Sequence, residues 1–467
     1  MSDISKQLER LMPSGLTGRV ARTVGMAIYV NGFPAPLGAT AEIQRDTGPP
    51  LNAEVVGFRE NSTIVYPLGT TTGVRHGDPV RLIKTGRWIR VGDGLLGRVV
   101  NAFGEVIDGQ LPFMLNRRAE LDAVPPSAIE RPRIERALPT GVRALDAMLT
   151  VGSGQRLGIF AGAGVGKSVL LGMMARHTAA DVSVVALIGE RGREVNEFIE
   201  SDLGEAGLKR SVVVVATSDE PAQVRVRAAM TATAIAESFR ERGMKVLLLM
   251  DSITRFAQAQ REIGLAAGEP PATRGYPPSV FSALPRLVER AGCTERGSIT
   301  GLYSVLVEGD DPQEPVADAV RGLLDGHIWL SRALAARGHY PAIDILESLS
   351  RVMPQITTAE HQAAARYIRQ LLAAHRDNED LISIGAHRPG INPLVDAAIA
   401  AKDHINSFLQ QAPHESAGGQ DAINQLVQLA MACQAKANQQ AVHGGAPNQP
   451  NNVQTQQPKP IVGGAQS

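Results

Sequence analysis

The stretch GIFAGAGVGKSVLL at residues 158–171 constrains the fold more than any other part of the chain. An apolar run at 157–160 leads directly into a glycine-rich turn, and a helix-forming segment opens near Lys167. Such a turn joins a buried strand to the helix that follows it, so it requires a sheet with helices packed around it. Downstream the pattern repeats. Strand candidates at 156–160, 182–188, 211–216, 246–250 and 298–307 are interleaved with helix-length stretches such as 168–177 and 222–242. This alternation predicts a mainly parallel sheet covered on both faces, with ligands bound at the carboxyl ends of its strands.

The turn itself, Ala161, Gly162, Ala163, Gly164, Val165, Gly166, Lys167, Ser168 and Val169, has the composition of a phosphate-binding loop. Its glycines let successive amides point inward at phosphate oxygens, and the helix start adds partial positive charge. Lys167 is placed to reach the β and γ phosphates of ATP, and Ser168 to hold Mg²⁺ through its hydroxyl. Ala161 stands where such loops usually have their first glycine, a change that a short side chain accommodates. Two carboxylates complete the set. Asp251 ends the apolar strand at 246–250, at the edge that carries the loop, where it can order a metal's water shell; Asp-Ser also starts helices. Glu190 lies just past the strand at 182–188, where it can position the attacking water, although Arg191, Arg193 and Glu194 beside it also suit a surface ion-pair cluster.

The rest of the chain divides by composition. Residues 1–17 hold an apolar helical stripe, Ile4, Leu8, Leu11 and Met12, which suits a docking helix or a frayed terminus. Residues 18–98 carry short β-rich segments at 26–30, 53–58, 63–66 and 80–83, separated by Gly, Pro and Asn, and read as a small β-barrel. Residues 99–357 hold the alternating pattern, 358–441 a helical domain rich in Ala, Leu, Gln and Arg, and 442–467 a polar tail expected to be disordered. Lys plus Arg, 47, balance Asp plus Glu, 47, so no bulk field draws the chain to nucleic acid or acidic lipid. Cys293 and Cys433 alone cannot build a disulfide framework, and no apolar run is long enough to span a bilayer. A cytoplasmic location is expected.

Longer motifs carry a resemblance. LLGRVVNAFGEVIDG, TGVRALDAMLTVGSGQRLGIFAGAGVGKSVLLGMMAR, LIGERGREVNEFI, LLLMDSITRFAQAQREI, GEPPATRGYPPSVFSALPRLVERAG, VLVEGDDPQEPVAD and GHYPAIDILESLSRVM follow one another in this order. Together, over about residues 18–411, they resemble the hexameric ATPases related to the catalytic subunit of rotary ATP synthases, and within them the flagellum-specific export ATPases of the type III secretion family. The resemblance implies an α/β multidomain fold with an N-terminal barrel, a central RecA-like phosphate-loop domain and a C-terminal helical domain. It implies Glu190 as the catalytic carboxylate, Arg191 as a γ-phosphate contact, Glu194 and Asp251 in the metal and water network, and Arg255 near the γ-phosphate. Tyr340 would pack on adenine, though an ordinary half-buried tyrosine also explains it. Arg351 would reach into the neighbouring subunit's site. The partners implied are five further copies in a homohexamer, a dimeric regulator on the N-terminal helix, and a coiled-coil stalk facing the acidic loop 308–314. Export chaperones with their substrates and the export gate at the inner membrane, to which the ring attaches peripherally, are implied as well.

Three other readings compete. GERGREVNEF and ATRGYPPSVF differ from the forms typical of synthase subunits, whereas the ATPase of a virulence-type secretion apparatus shares the fold and most motifs. An RNA-binding helicase ring shares the order of barrel and ATPase. It needs aromatic and basic residues on the barrel, where Trp88 between Arg87 and Arg90 is the single candidate, so no nucleic acid is expected.

Overall fold

The computed structural model describes residues 15–111, 115–307 and 314–444. The expected opening helix, most of the acidic loop 308–314 and most of the tail expected over 442–467 lie outside them; residues 442–444 of that tail instead end the last helix. Among the described residues six strands close a barrel: β1 Thr17–Val24, β2 Ala27–Asn31, β3 Thr40–Ile43, β4 Leu51–Arg59, β5 Ser62–Pro67 and β6 Pro79–Lys84, in the order β1-β2-β5-β4-β3-β6. Alternation builds it. Leu51, Ala53 and Val55 of β4 point inward with Ile28, Val30, Val65 and Val80, while Asn52 and Glu54 point out. Outward-facing Glu54 fastens the barrel to the next layer. It lies 3.2 Å from Arg87 and 3.2 Å from Arg227, a buried arginine.

The strands that follow are β7 Trp88–Val91, β8 Arg98–Asn101, β9 Arg117–Glu120, β10 Arg156–Ala161, β11 Val182–Glu190 and β12 Ser211–Thr217. After them come β13 Lys245–Asp251, β14 Gly292–Cys293, β15 Ser298–Leu306, β16 Gly326–Leu330 and β17 Ile343–Ser350. Strands β7 and β9 pair with each other, and the rest form one sheet in the order β17-β16-β10-β15-β13-β11-β12-β8, with β14 alongside β15. From β8 to β16 the neighbours along this path run parallel, and β17 returns antiparallel at the edge. The parallel sheet expected from the alternating pattern is therefore present, and both faces are buried. Leu157, Ile159, Leu187, Leu249 and Leu302 pack toward one side. Phe160, Ile188, Leu248, Met250 and Tyr303 pack toward the other.

The helices that position the site are α1 Arg143–Met148, α2 Lys167–His177, α3 Gly192–Glu197, α4 Ala222–Arg240 and α5 Ile253–Ala266. The helical region contains α6 Ala359–Asp377, α7 Pro393–Leu409 and α8 Gly419–Gly444. Ala364, Ile368, Ala398, Ile405, Ala422 and Leu426 from α6, α7 and α8 share the core that also holds Leu145 of α1 and Leu170 of α2. The helical region therefore packs against the same face of the sheet that carries α2. Among the described residues no helix is long and apolar enough to cross a membrane.

Strand β8 was not anticipated as part of the sheet. It is held at the edge by a buried ion pair, in which Arg98 Nε and Nη2 each donate to Asp108 at 2.7 Å. The Arg98 guanidinium, helped by the amides of Gln110 and Val99, holds the Asp108 carboxyl down to about 2. A carboxylate depressed in the folded state contributes stability above its unfolded pKa of about 4 and loses it as pH falls toward 2. Asp108→Ala should therefore cost about 3–5 kcal/mol at neutral pH, because it strands a buried arginine. Thermal unfolding followed at pH 7 and pH 2.5 checks this: the difference between the two proteins should shrink at the lower pH.

Candidate active site

The loop after β10 and the start of α2 form the floor of the site. Gly166 adopts φ 88°, a left-handed conformation that costs glycine little, and it precedes the helix without a side-chain cap. The first amides of α2 are thus left for an anion. The ring of Tyr340 lies 3.5 Å from where a Cβ on Gly166 would stand, and Tyr340 is 45% exposed. An open aromatic face beside a phosphate-type loop is suited to a planar base.

Lys167 lies at the centre of the charges. Its Nζ is 2.5 Å from Asp251 Oδ1 and 3.9 Å from Glu190 Oε1, and all three side chains are largely buried. The sheet order brings them together: β13, carrying Asp251, and β11, carrying Glu190, are neighbours, and β15 alone separates β13 from β10. The placement of Glu190 depends on a bulge. The pairing of β11 with β12 shifts between Ile188 and Glu190, and Gly189 between them has φ 68°. A Cβ on Gly189 would come within 3.1 Å of the Arg255 stem, so glycine here also lets Arg255 pack against the strand end.

The Glu190 carboxyl is pushed up to about 7, first by burial and then by the charge of Asp251, with Lys167 opposing both. Its Oε1 is buried without a hydrogen-bond partner. Such an atom is costly unless a ligand or solvent meets it. Arg255, at the start of α5, donates to Gln258 at 3.1 Å, and its charge bears on Glu190. Arg191 and Glu194 are more exposed. They pair at 3.3 Å on the surface, and Glu194 lies close enough to Glu190 to help push its carboxyl up. Ser168 begins the first turn of α2 next to Lys167.

Arg351 lies elsewhere. It follows Ser350, which pairs with Gly326 at the start of β16, whereas Leu330 at the end of β16 pairs with Ala161 at the base of the loop. The length of β16, roughly 13 Å at strand rise, therefore separates it from the loop of its own chain. Its backbone amide bonds Asp325 at 3.0 Å and its Nη1 bonds Leu324 at 3.3 Å, both through carbonyl oxygens. Two residues that the sequence did not single out also matter: Gly189, whose φ is legible only once the bulge is seen, and Ser304, whose hydroxyl is 2.6 Å from Asp251 Oδ1.

Comparison with known proteins decides the family. The chain is 50% identical over 414 residues to the flagellum-specific ATP synthase of Bacillus subtilis, spanning 88% of this chain and 94% of that one. It is 49% identical over 422 residues to the type 3 secretion system ATPase of Pseudomonas savastanoi pv. phaseolicola, spanning 89% and 94%. The chain belongs to the family of flagellum-specific and type 3 secretion ATPases. It is accordingly an ATPase, and ATP is its substrate. The ATP synthase alpha/beta family, nucleotide-binding domain, matches residues 141–350 of this family member. The T3SS EscN ATPase C-terminal domain matches 357–428. Among solved structures, the assembled ATPase EscN in complex with its central stalk EscO, from enteropathogenic E. coli, superposes with a TM-score of 0.83 at 43% identity. It covers 88% of this chain and all of that one.

Proposed function

We propose that the chain hydrolyses MgATP in a homohexameric ring and uses the energy for flagellar protein export at the cytoplasmic face of the inner membrane. The observation that carries the catalytic part is the position of the Lys167 ammonium, at the mouth of the glycine-rich loop between the Asp251 and Glu190 carboxylates. A cation and two acids at one sheet edge suit phosphoryl transfer, in which positioning and charge stabilisation dominate over covalent chemistry.

The geometry supports the following roles. Amides from Gly162 to Ser168 grip the phosphates, and Lys167 turns from Asp251 to the β and γ oxygens. Tyr340 packs against adenine. Glu190 accepts a hydrogen bond from a water and aligns it with the γ-phosphorus, a role suited to a carboxyl whose pKa lies near neutrality. The water oxygen bonds to phosphorus as one of its protons passes to the Glu190 carboxylate, the bond to the bridging oxygen breaks, and ADP leaves with that electron pair. Arg255 and Arg191 act on the γ-phosphate. Arg351, remote from its own loop, serves the loop of the next copy.

The donors fit magnesium. Ser168, Asp251 and Glu194 offer hard oxygens, and Glu190 Oε1 is a buried acceptor without a hydrogen-bond partner. Among the described residues no group of three or more His, Cys, Asp or Glu could hold a metal ion. An ion there would be held by the Ser168 hydroxyl, one or two of these carboxylates, waters and the nucleotide's phosphates. When bound, the metal neutralises charge on the β and γ oxygens.

The ring and its partners extend this reading. EscN is known assembled and with its central stalk; a stalk in the ring's channel, a regulator on residues 1–17, and export chaperones with their cargo are the corresponding partners here. Relatives named for flagella and for type 3 secretion are almost equally similar. An export assay separates these two roles. In cells lacking the gene, the chain restores secretion of flagellar filament protein and Lys167→Ala does not; restoration of virulence-type secretion alone would reverse the assignment.

A further inference from the structure

Strand β15 lies between β10, which ends in the glycine-rich loop, and β13, which ends in Asp251. Side chains alternate along it. Tyr303 and Val305 enter one core, while Leu302 enters the other with Ile159 and Leu249 of the flanking strands and Leu170 of α2. Ser304 falls on that second, aliphatic face and has no exposed surface. A hydroxyl in such surroundings is unfavourable unless it is hydrogen-bonded, so an aliphatic residue would be the default there. Its partner is specific: Ser304 Oγ donates to Asp251 Oδ1 at 2.6 Å. The same oxygen receives Lys167 Nζ at 2.5 Å.

We propose that Ser304 is a positioning residue for ATP hydrolysis, fixing the Asp251 carboxylate once Lys167 has moved to the nucleotide. Lys167 cannot serve both partners fully. When phosphates enter the loop they draw the ammonium, and Asp251 loses one of the two donors that hold its Oδ1. Ser304 remains, because its strand is clamped on both sides by backbone ladders, with Ile159 paired opposite Ser304 and Met250 opposite Tyr303. A buried carboxylate held by a charge-assisted hydrogen bond keeps one rotamer. It can then order the metal's water shell without first being oriented by the metal. The inference rests on the metal-ordering role of Asp251 proposed above.

The test is calorimetric titration of ATP into the full-length protein at stepped magnesium concentrations, for the unaltered chain, Ser304→Ala, Ser304→Thr and Ser304→Val. Threonine and valine have the same shape and differ in the hydroxyl, so a packing defect affects both. The unaltered chain and Ser304→Thr should need similar magnesium to tighten ATP binding, whereas Ser304→Ala and Ser304→Val should need roughly tenfold to a hundredfold more. ATP affinity without magnesium should be alike in all four. Ser304→Val behaving as Ser304→Thr would overturn the proposal while leaving the metal role of Asp251 intact. An unaltered chain whose ATP affinity ignores magnesium would remove that role, and this proposal with it.

Discussion

Arg351→Ala should bind ATP as tightly as the unaltered chain and hydrolyse it roughly a thousandfold more slowly, the usual contribution of an arginine supplied to a phosphoryl-transfer site from outside. The reason is positional. Arg351 follows the strand end that pairs with the start of β16, about 13 Å of strand from the loop of its own chain, and is anchored to the carbonyl of Leu324. Phosphate release gives the turnover and calorimetry the affinity. Mixing provides a sharper check. Arg351→Ala and Lys167→Ala should each turn over very slowly alone, but when co-assembled they should recover part of the activity, since one supplies an intact loop and the other an intact arginine. A ring of Arg351→Ala alone that turns over normally would contradict the trans assignment.

Glu190→Gln should retain nucleotide binding and lose roughly a hundredfold to ten-thousandfold in turnover, the range for removing a general base or its equivalent. The substitution keeps the size of the side chain and its place on the bulge at Gly189, and removes the charge. Because burial and Asp251 already push this carboxyl up to about 7, the fold tolerates a neutral side chain there, and stability should change little. Single-turnover hydrolysis with bound ATP measures the chemical step directly. A Glu190→Gln protein that hydrolyses at the normal rate would assign water positioning to another group.

The centre of the fold was legible in the sequence because it obeys simple patterns. β11, apart from Ser183, and β13, after Lys245, are apolar runs that end in an acid, as buried parallel strands beside a ligand edge do, and the glycine-rich turn fixes what lies between strand and helix. The edges were harder. RVVN, which becomes β8, is too short to signal a strand, and its place depends on an ion pair with Asp108 ten residues later. β1, rich in Thr, Arg and Gly, lacks the apolar alternation that marked β4. In the site, Lys167 was proposed from the glycine-rich turn, and Asp251 and Glu190 from strand ends, and the sheet order brings the three together. Gly189 was not, since a positive φ leaves no trace in composition, and neither was Ser304, one hydroxyl in an apolar run whose meaning appears only when the sheet order sets β15 beside β13. Arg351 was proposed through family motifs; its distance from the loop supports a role between subunits, which no local pattern carries.

The measurement closest to the central claim is calorimetric titration of ATP with magnesium into the intact protein and into Lys167→Ala. If the amides of the loop at 161–168 and the Lys167 ammonium grip the triphosphate, the unaltered chain takes up nucleotide in a saturable, exothermic reaction, and Lys167→Ala loses most of that affinity. Absence of uptake by the unaltered chain, or equal uptake by both, would contradict the account.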